Sequence, residues 1–338
     1  MTKRWKNRPE GSTWGDWGDD DQRGRMNLVT PGRVKAAVAE VRDGRSFCLS
    51  LPLDLPGGNA VNPKRHPPEF RPVYVGDDVY FNYVWDRDVP GDMDVSCDEA
   101  ILLYSQYSTQ WDSLCHIGSK FDADGDGEAE AVYYNGYRPG DYVGGTPGDG
   151  QLGARALGIE NMAETCVQGR GVMVNLHAHF GDERVAVTYR QLMEVMEKDG
   201  VTVEEGDMLT LYTGWDEMII SMGGAPDAEK LHNSCAVLDG YDEWLLQWIT
   251  DCGLSVIVSD NMAVENSRGD GDTQGGRSHL PIHRHCLFRL GVHLGELWYL
   301  SELAAELRRQ NRSRYLLTAP PLRLPGAVGS PVTPVGTI

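Results

Sequence analysis

Twice in the second half of the chain an amphipathic helical pattern is followed within a few residues by a short apolar run, and this order constrains the fold more than any other feature. Thr188 and Gln191 have capping-box spacing, Leu192, Val195 and Met196 recur at helical intervals, Gly200 ends the run, and Met208 to Thr213 reads as a strand. Tyr241 to Cys252 repeats the helical pattern, and Leu254 to Val258 repeats the apolar strand, ending at Ser259-Asp260. Helices alternating with buried strands predict an α/β fold with a mixed sheet at its core. Nearer the N-terminus, Thr30 can cap a helix with Pro31 at its first position, carrying Val34, Val38 and Val41 and stopping before Gly44. Ser46 to Leu53 alternates like a strand, whereas Pro56 to Pro72 is rich in proline and glycine and reads as a long irregular loop, the kind of segment that borders sites. No repeat or low-complexity linker divides the chain. The expected organisation is an N-terminal arm, residues 1–30, lying near the site, and one domain over residues 31–338.

Composition narrows the partners. The 338 residues are 41% hydrophobic, enough for a substantial core. Lysine and arginine total 31 against 50 acids, a formal charge of -19, which disfavours nucleic acid and anionic membrane as partners. The apolar runs fall far short of the roughly 20 residues a spanning helix needs. Met1 to Asp21 lacks the apolar centre of a secretory signal, so a cytoplasmic location is expected. The seven cysteines form no CxxC pair and are expected to be buried thiols.

The stretch that carries chemistry begins at Ile101 and reads ILLYSQYSTQWDSLCHIG. Gln106, Gln110, Asp112 and His116 share one parity, so an extended chain would point all four to one face. Ten extended residues would span about 33 Å, however, and ligands of one ion must converge within a few ångströms, so the segment must bend to serve as a site. From spacing alone a strand with a polar face is the better description.

The segment resembles the metal motif HxGTHxDxPxH of the cyclase superfamily, which includes kynurenine formamidases and isatin hydrolases. Asp112 and His116 match the aspartate and the final histidine; glutamines 106 and 110 stand where the first two histidines belong, and Ser108 and Leu114 replace the glycine and proline. This QxxxQWDxxxH form is similar to that of the trans-dienelactone hydrolase-like branch. Further blocks follow in family order: GDWGDDDQRGRMNLVTP from Gly15, VYYNGY from Val132, GRGVMVNL from Gly169, LYTGW from Leu211, VSDNMAVE from Val258 and PLRLPGAVGSPVTPV from Pro321. Pro281 to Leu300, PIHRHCLFRLGVHLGELWYL, is similar to the segment that supplies a second histidine and a glutamate, matched best by His283 and Glu296, with His285 as the competing alignment for the histidine.

The resemblance implies a barrel-like mixed sheet with flanking helices, of the swivelling β/β/α type, and a divalent metal, Mn²⁺ or Zn²⁺. Asp112, His283 and Glu296 are the implied core ligands, with Gln106 and Gln110 at the positions of the lost histidines. An amide ligates only through its carbonyl oxygen, a harder and weaker donor than imidazole, so the set leans toward a single ion and toward manganese. His116 is the expected proton shuttle, acting together with the ligand Asp112, because imidazole titrates near neutrality. Trp17, Trp111, Trp215 and His285 are candidate pocket walls, although large aromatics also commonly fill cores. The expected function is opening of a small lactone or cyclic ester by metal-activated water. Arylformamide or cyclic-amide hydrolysis, polyketide cyclisation and non-catalytic binding of a small molecule are the alternatives. Relatives form homodimers or homotetramers, and the same is expected here.

Other signals carry less weight. Asp122 to Gly127 begins like a calcium loop, but Tyr133 stands where a bidentate glutamate belongs. His177 and His179 alternate as if on a strand and could face a metal together. Gly144 to Gly150 is glycine-rich but lacks the lysine of a phosphate loop, and reads as a surface loop. Cys115 beside His116 would point to the opposite face of an extended chain, against a thiol–imidazole pair. Arg65, His66 and Arg71 could touch substrate, though loop residues are more often solvated.

Overall fold

The computed structural model describes residues 3–144, 152–266 and 278–338, so residues 145–150 of the glycine-rich run lie outside it. Four strands pair in parallel at the centre, Gln168–Asn175, Met208–Tyr212, Val256–Ser259 and His293–Glu296. Antiparallel strands extend this run on both sides into a nine-stranded mixed sheet. Beyond Gln168–Asn175 lie Arg314–Thr318, Val335–Thr337 and Ser46–Cys48; beyond His293–Glu296 lie Gln110–Asp112 and Gly329–Pro331.

The alternation of side chains sends the strands' residues into two cores. Val172, Val174, Leu209, Leu211, Ile257 and Leu294 face one core with Leu192, Val195, Leu245 and Ile249 from two flanking helices. Met173, Met208, Val256, Val258, Trp111 and Tyr315 face the other, with Leu303 and Leu307 of the helix Ser301–Arg309. The predicted helix after Thr188 runs Tyr189–Asp199, with the reciprocal Thr188–Gln191 capping box and Gly200 left-handed at its end. The second runs Glu243–Asp251, capped by Asp242. The first helix is shorter than expected, Pro31–Val38; its single fully buried residue is Ala37, while Val38 is exposed, so the valine stripe is not its core face. The expected strand from Ser46 is regular only to Cys48.

Three sequence expectations are corrected here. Cys48, Cys97 and Cys166 are exposed and Cys252 is half-buried, so only Cys115, Cys235 and Cys286 are buried thiols. His177 and His179 lie in a helical turn, His177–Phe180, not a strand, and pair with Asp182 and Asp199 rather than with each other. The loop from Pro56 gives way at Glu69 to a ribbon that sequence reading did not foresee: Glu69–Pro72 pairs with Glu99–Leu102, and shorter strand pairs follow within it. Among the described residues no helix is long and apolar enough to cross a membrane. The N-terminal arm is packed into the body: Trp14 is fully buried, its Nε1–H donates to the Phe288 carbonyl at 2.7 Å, and Arg25 donates to the carbonyls of Ile249 and Thr250.

Candidate metal centre

Only three residues of the chemistry-bearing segment, Gln110–Asp112, form a strand. Turns on either side supply the bend that convergence requires: Tyr107 N–H donates to Tyr104, and His116 N–H to Ser113. On this strand Gln110 and Asp112 face one side, and Trp111 faces the other. Trp111 is fully buried, edge-on to Trp298 with ring centroids 5.0 Å apart, and its Nε1–H donates to the Ala319 carbonyl at 2.8 Å. It packs a core and does not wall a pocket. Gly295 sits opposite Trp111 across the strand pair; a Cβ there would come within 3.1 Å of that ring and 2.9 Å of Trp298 Nε1, so the aromatic packing requires glycine.

Glu296 is the last residue of its strand and pairs with Gln110, and the Gln110 amide donates to Glu296 Oε2 at 2.9 Å. The cluster therefore lies at the carboxyl end of the parallel strands, where the sheet switches to an antiparallel neighbour, a recurrent place for ligand sites in α/β folds. His283 arrives from a separate element. Pro281 starts the short helix Pro281–His283, and the Glu265 carboxylate accepts both the Ile282 N–H at 2.7 Å and the His283 N–H at 2.8 Å. The same carboxylate lies 2.7 Å from His283 Nδ1, which fixes the ring so that Nε2 points at Glu296 Oε1, 3.1 Å away, and Asp112 Oδ2, 3.7 Å away. No spacing signal in the sequence marks Glu265, because its partner is 18 residues away.

Asp112, His283 and Glu296 can present ligand atoms that all lie within 4.8 Å of one another, and all three residues are buried. Both oxygens of Asp112 and Oε1 of Gln110 are buried with no hydrogen-bond partner. A buried carboxylate with nothing to bond is costly unless a cation compensates it. Two carboxylates, one oriented imidazole and an unpartnered amide oxygen fit a hard or borderline divalent ion. Charge distribution within the cluster follows from these contacts. Burial pushes the Asp112 carboxyl up, against the pull of His116. Burial also acts to raise Glu296, but its hydrogen bond with His283 outweighs this and holds it low. For His283, burial would lower the pKa, yet the hydrogen bonds to Glu265 and Glu296 prevail and raise it to about 10.

His116 is partly exposed, with Nε2 3.8 Å from Asp112 Oδ1 and Nδ1 3.5 Å from the Gln106 amide nitrogen. Gln106, expected at a ligand position, is instead half-buried beside His116 and against Gly329. Arg65 Nη1 donates to the Gln106 carbonyl at 2.6 Å, and its charge acts on both Asp112 and Glu296.

The remaining candidates lie elsewhere. Residues two apart on a helix point roughly 200° apart, so His283 and His285 cannot both face the cluster. His285 turns to Thr250 Oγ1 at 2.9 Å, and burial followed by Arg289 and Arg25 pushes it down to about 3; it is neither ligand nor pocket wall. Trp215 packs with Leu51, Met218 and Leu231 and donates to the Leu231 carbonyl, so it too fills a core. Trp17 is half-buried in a turn of the arm and, among the described residues, makes no hydrogen bond or ring contact with the cluster. His293, on the glutamate strand, bonds the Asp112 carbonyl, and burial keeps it down at about 4. Cys115 bonds Ser113, and burial lifts its thiol to about 11, unsuited to nucleophilic work. A cavity of 620 Å³, lined by residues such as Arg308, Arg312 and His179, shares no residue with the cluster. Cavity size does not identify the site: buried, unpartnered ligand atoms mark the chemistry.

Comparison with known proteins identifies the family and the fold. The Cyclase family model matches residues 49–266, a span that includes Asp112 and His116 and ends before His283. The crystal structure of a novel cyclase, 32% identical, superposes with a TM-score of 0.75 over 97% of this chain and 99% of that one. Isatin hydrolase A from Labrenzia aggregata, bound to benzyl benzoate, is 12% identical with a TM-score of 0.54, covering 90% of this chain and 98% of its own. Isatin hydrolase A from Ralstonia solanacearum is likewise 12% identical, with a TM-score of 0.54 over 91% and 97%. These two establish the likeness of fold. A search of curated proteins gives no match.

Proposed function

Because the chain belongs to the Cyclase family, we propose that it is a metal-dependent hydrolase that opens a small lactone or cyclic ester, with Asp112, His283 and Glu296 holding one divalent ion. The observation that carries this reading is the fully buried Asp112 carboxylate, neither oxygen of which has a hydrogen-bond partner, facing the Nε2 of an imidazole already oriented by Glu265. A divalent cation held there supplies Lewis acidity, bringing water's pKa from about 15.7 to about 7 and polarising a carbonyl.

The protein's own groups perform the rest. Gln110 orients Glu296 through its amide N–H and keeps its carbonyl oxygen available as a weak further ligand. His116, at the solvent side of Asp112, takes a proton from the attacking water as the new C–O bond forms. When the ring C–O bond breaks, the same imidazole returns that proton to the leaving oxygen, so no proton is lost and the product is a single ring-opened hydroxy acid. Gln106 positions the imidazole: its amide nitrogen lies 3.5 Å from Nδ1 and holds the ring beside Asp112. Arg65 is the cation that an anionic substrate requires in a chain of net charge -19, reaching the cluster from the loop where sequence reading left its role open.

The test is a panel of lactones, arylformamides and cyclic imides, each with and without a carboxylate, assayed with manganese and with zinc. Metal-dependent turnover of carboxylated lactones is expected. Turnover confined to formamides or imides replaces the lactone reading with amide hydrolysis, and inactivity on all of them with either metal removes the hydrolase reading.

A further inference from the structure

We propose that the 620 Å³ cleft is a second binding site, for a small organic dianion: an apolar body carrying a phosphate monoester or a pair of carboxylates. The cleft forms where two helices end. The helix Tyr189–Asp199 stops at the left-handed Gly200, and Lys198 and Asp199 of its last turn line the cleft. The helix Ser301–Arg309 stops shortly before Asn311, whose φ of 52° reverses the chain, so that Arg308 before the reversal and Arg312 after it line the same cleft. The strand Gln168–Asn175 contributes its last residue: Asn175 Oδ1 accepts the Ala178 N–H at 2.9 Å, which leaves its Nδ2 group to donate. Met173 shares the parity of Asn175 and packs in the core that holds Trp111, so the cleft lies on the face of the sheet away from Asp112.

Charge sets the sign of the ligand. Arg42, Lys198, Arg308, Arg312 and Arg314 stand against Glu40 and Asp199, a net of +3 by subtraction, in a chain whose net charge is -19. Each helix end brings about half a negative charge, which leaves the lining positive by about 2. Both acids are already engaged: Asp199 lies 3.0 Å from His179 Nε2, and Glu40 lies 3.6 Å from Arg312 and 4.0 Å from Arg42. Arg312, with a side chain only 9% exposed, donates to the carbonyls of Glu40 and Arg314 and is a fixed wall, and Arg314 is held by Glu204 and Thr202. Among the described residues Lys198 and Arg308 have neither an ion pair nor a side-chain hydrogen bond. Two unmatched cations call for two negative charges, and a single carboxylate would leave one of them alone.

Size and floor set the rest of the ligand. At 620 Å³ the cleft falls within the range of about 300–1,000 Å³ typical of small-molecule sites, and a bare inorganic anion would fill only a small part of it. Met173, Val201, Ala304 and Leu307 line it and are themselves buried, which gives the cleft an apolar floor. An organic body covers that floor while its head group meets Arg308, Lys198 and the Asn175 amide. A guanidinium fork suits phosphate and carboxylate oxygens alike, so the two head groups share one recognition chemistry. The cleft contains none of Asp112, His116, His283 and Glu296, so it binds its dianion whether or not the metal centre opens a lactone.

The experiment titrates the full chain, with its metal in place, by calorimetry with phenyl phosphate, phthalate, benzoate and inorganic phosphate. Phenyl phosphate, phthalate or both are expected to bind once per chain, the tighter of the two identifying the head group, with benzoate and inorganic phosphate weaker by about tenfold or more. Lys198→Ala with Arg308→Ala, both exposed side chains, should weaken the dianion by about tenfold or more with metal content and far-UV circular dichroism unchanged. Arg65→Ala should leave the dianion affinity as it was. Failure of both dianions to bind at millimolar concentration overturns the proposal, as does binding indifferent to the Lys198 and Arg308 substitutions. Binding lost with Arg65→Ala puts the anion at the metal centre and overturns the second site. Benzoate as tight as the dianions, or inorganic phosphate as tight as phenyl phosphate, overturns the class of ligand.

Discussion

Two groups of three ligand-capable residues exist among the described residues, and they differ in what their oxygens have to do. In the loop from Asp122, the carboxylates are occupied by their own backbone: Asp122 accepts the N–H groups of Gly125, Asp126 and Gly127, Asp124 accepts that of Asp126, and Arg138 lies 3.5 Å from Asp124. At the carboxyl end of the parallel strands, Asp112 is buried and neither of its oxygens has a hydrogen-bond partner. The loop is a solvated turn whose carboxylates have donors, whereas the buried cluster around Asp112 has an electrostatic reason to take a cation. Proximity of acids is therefore a poor indicator of a metal site; buried acceptors lacking donors are a better one.

The contrast can be broken most directly at Asp112. Asp112→Ala is expected to abolish tight metal binding and lower turnover on the order of 10³-fold or more, read by metal analysis and rate together; full metal content in that variant would remove Asp112 from the ligand set. His116→Ala should lower turnover by about 10²- to 10⁴-fold while metal content holds, separating the proton shuttle from the ligands. Unchanged turnover would assign the shuttle elsewhere. Glu265→Ala should weaken metal affinity by roughly 10- to 100-fold without removing a ligand, as expected for the group that orients His283. Equal affinity in a competition titration would make Glu265 a helix cap and nothing more.

The pH response follows from His283. Its folded-state pKa, about 10, lies above the unfolded value near 6.5, so in the metal-free protein its pairing contributes stability that is full below pH 6.5 and lost as pH rises through 10. A cation must displace the Nε2 proton. Between those limits metal affinity should rise up to about tenfold per pH unit, with about one proton released, measurable by calorimetry in buffers of different ionisation enthalpy. Affinity independent of pH across 7 to 9 would contradict this assignment. The smallest effect is expected at the loop: Asp124→Asn should leave metal content and turnover unchanged, and loss of a bound ion there would erase the distinction between the two groups.

Much of the local architecture was legible from residue order. The Thr188–Gln191 box and Gly200 bounded a helix because caps act within a few residues. The apolar run to Ser259 read as a strand because its burial on both faces leaves no alternation to misread. The valines after Thr30 misled, because helical spacing marks a face without saying whether anything packs on it, and what packs there is Ala37. Trp111 and Trp215 looked like pocket walls because a large aromatic is equally suited to a wall and a core.

By itself the sequence determined the α/β alternation, the requirement that the Gln106–His116 segment bend, and the candidate status of Asp112, His283 and Glu296, since each depends on periodicity, chain length or motif order. Tertiary structure alone decided that His283 rather than His285 faces the cluster, that Glu265 orients it, and that Gln106 addresses His116. Each of those outcomes depends on which donor meets which acceptor across 10 to 186 residues of chain, and that is not encoded in any local spacing.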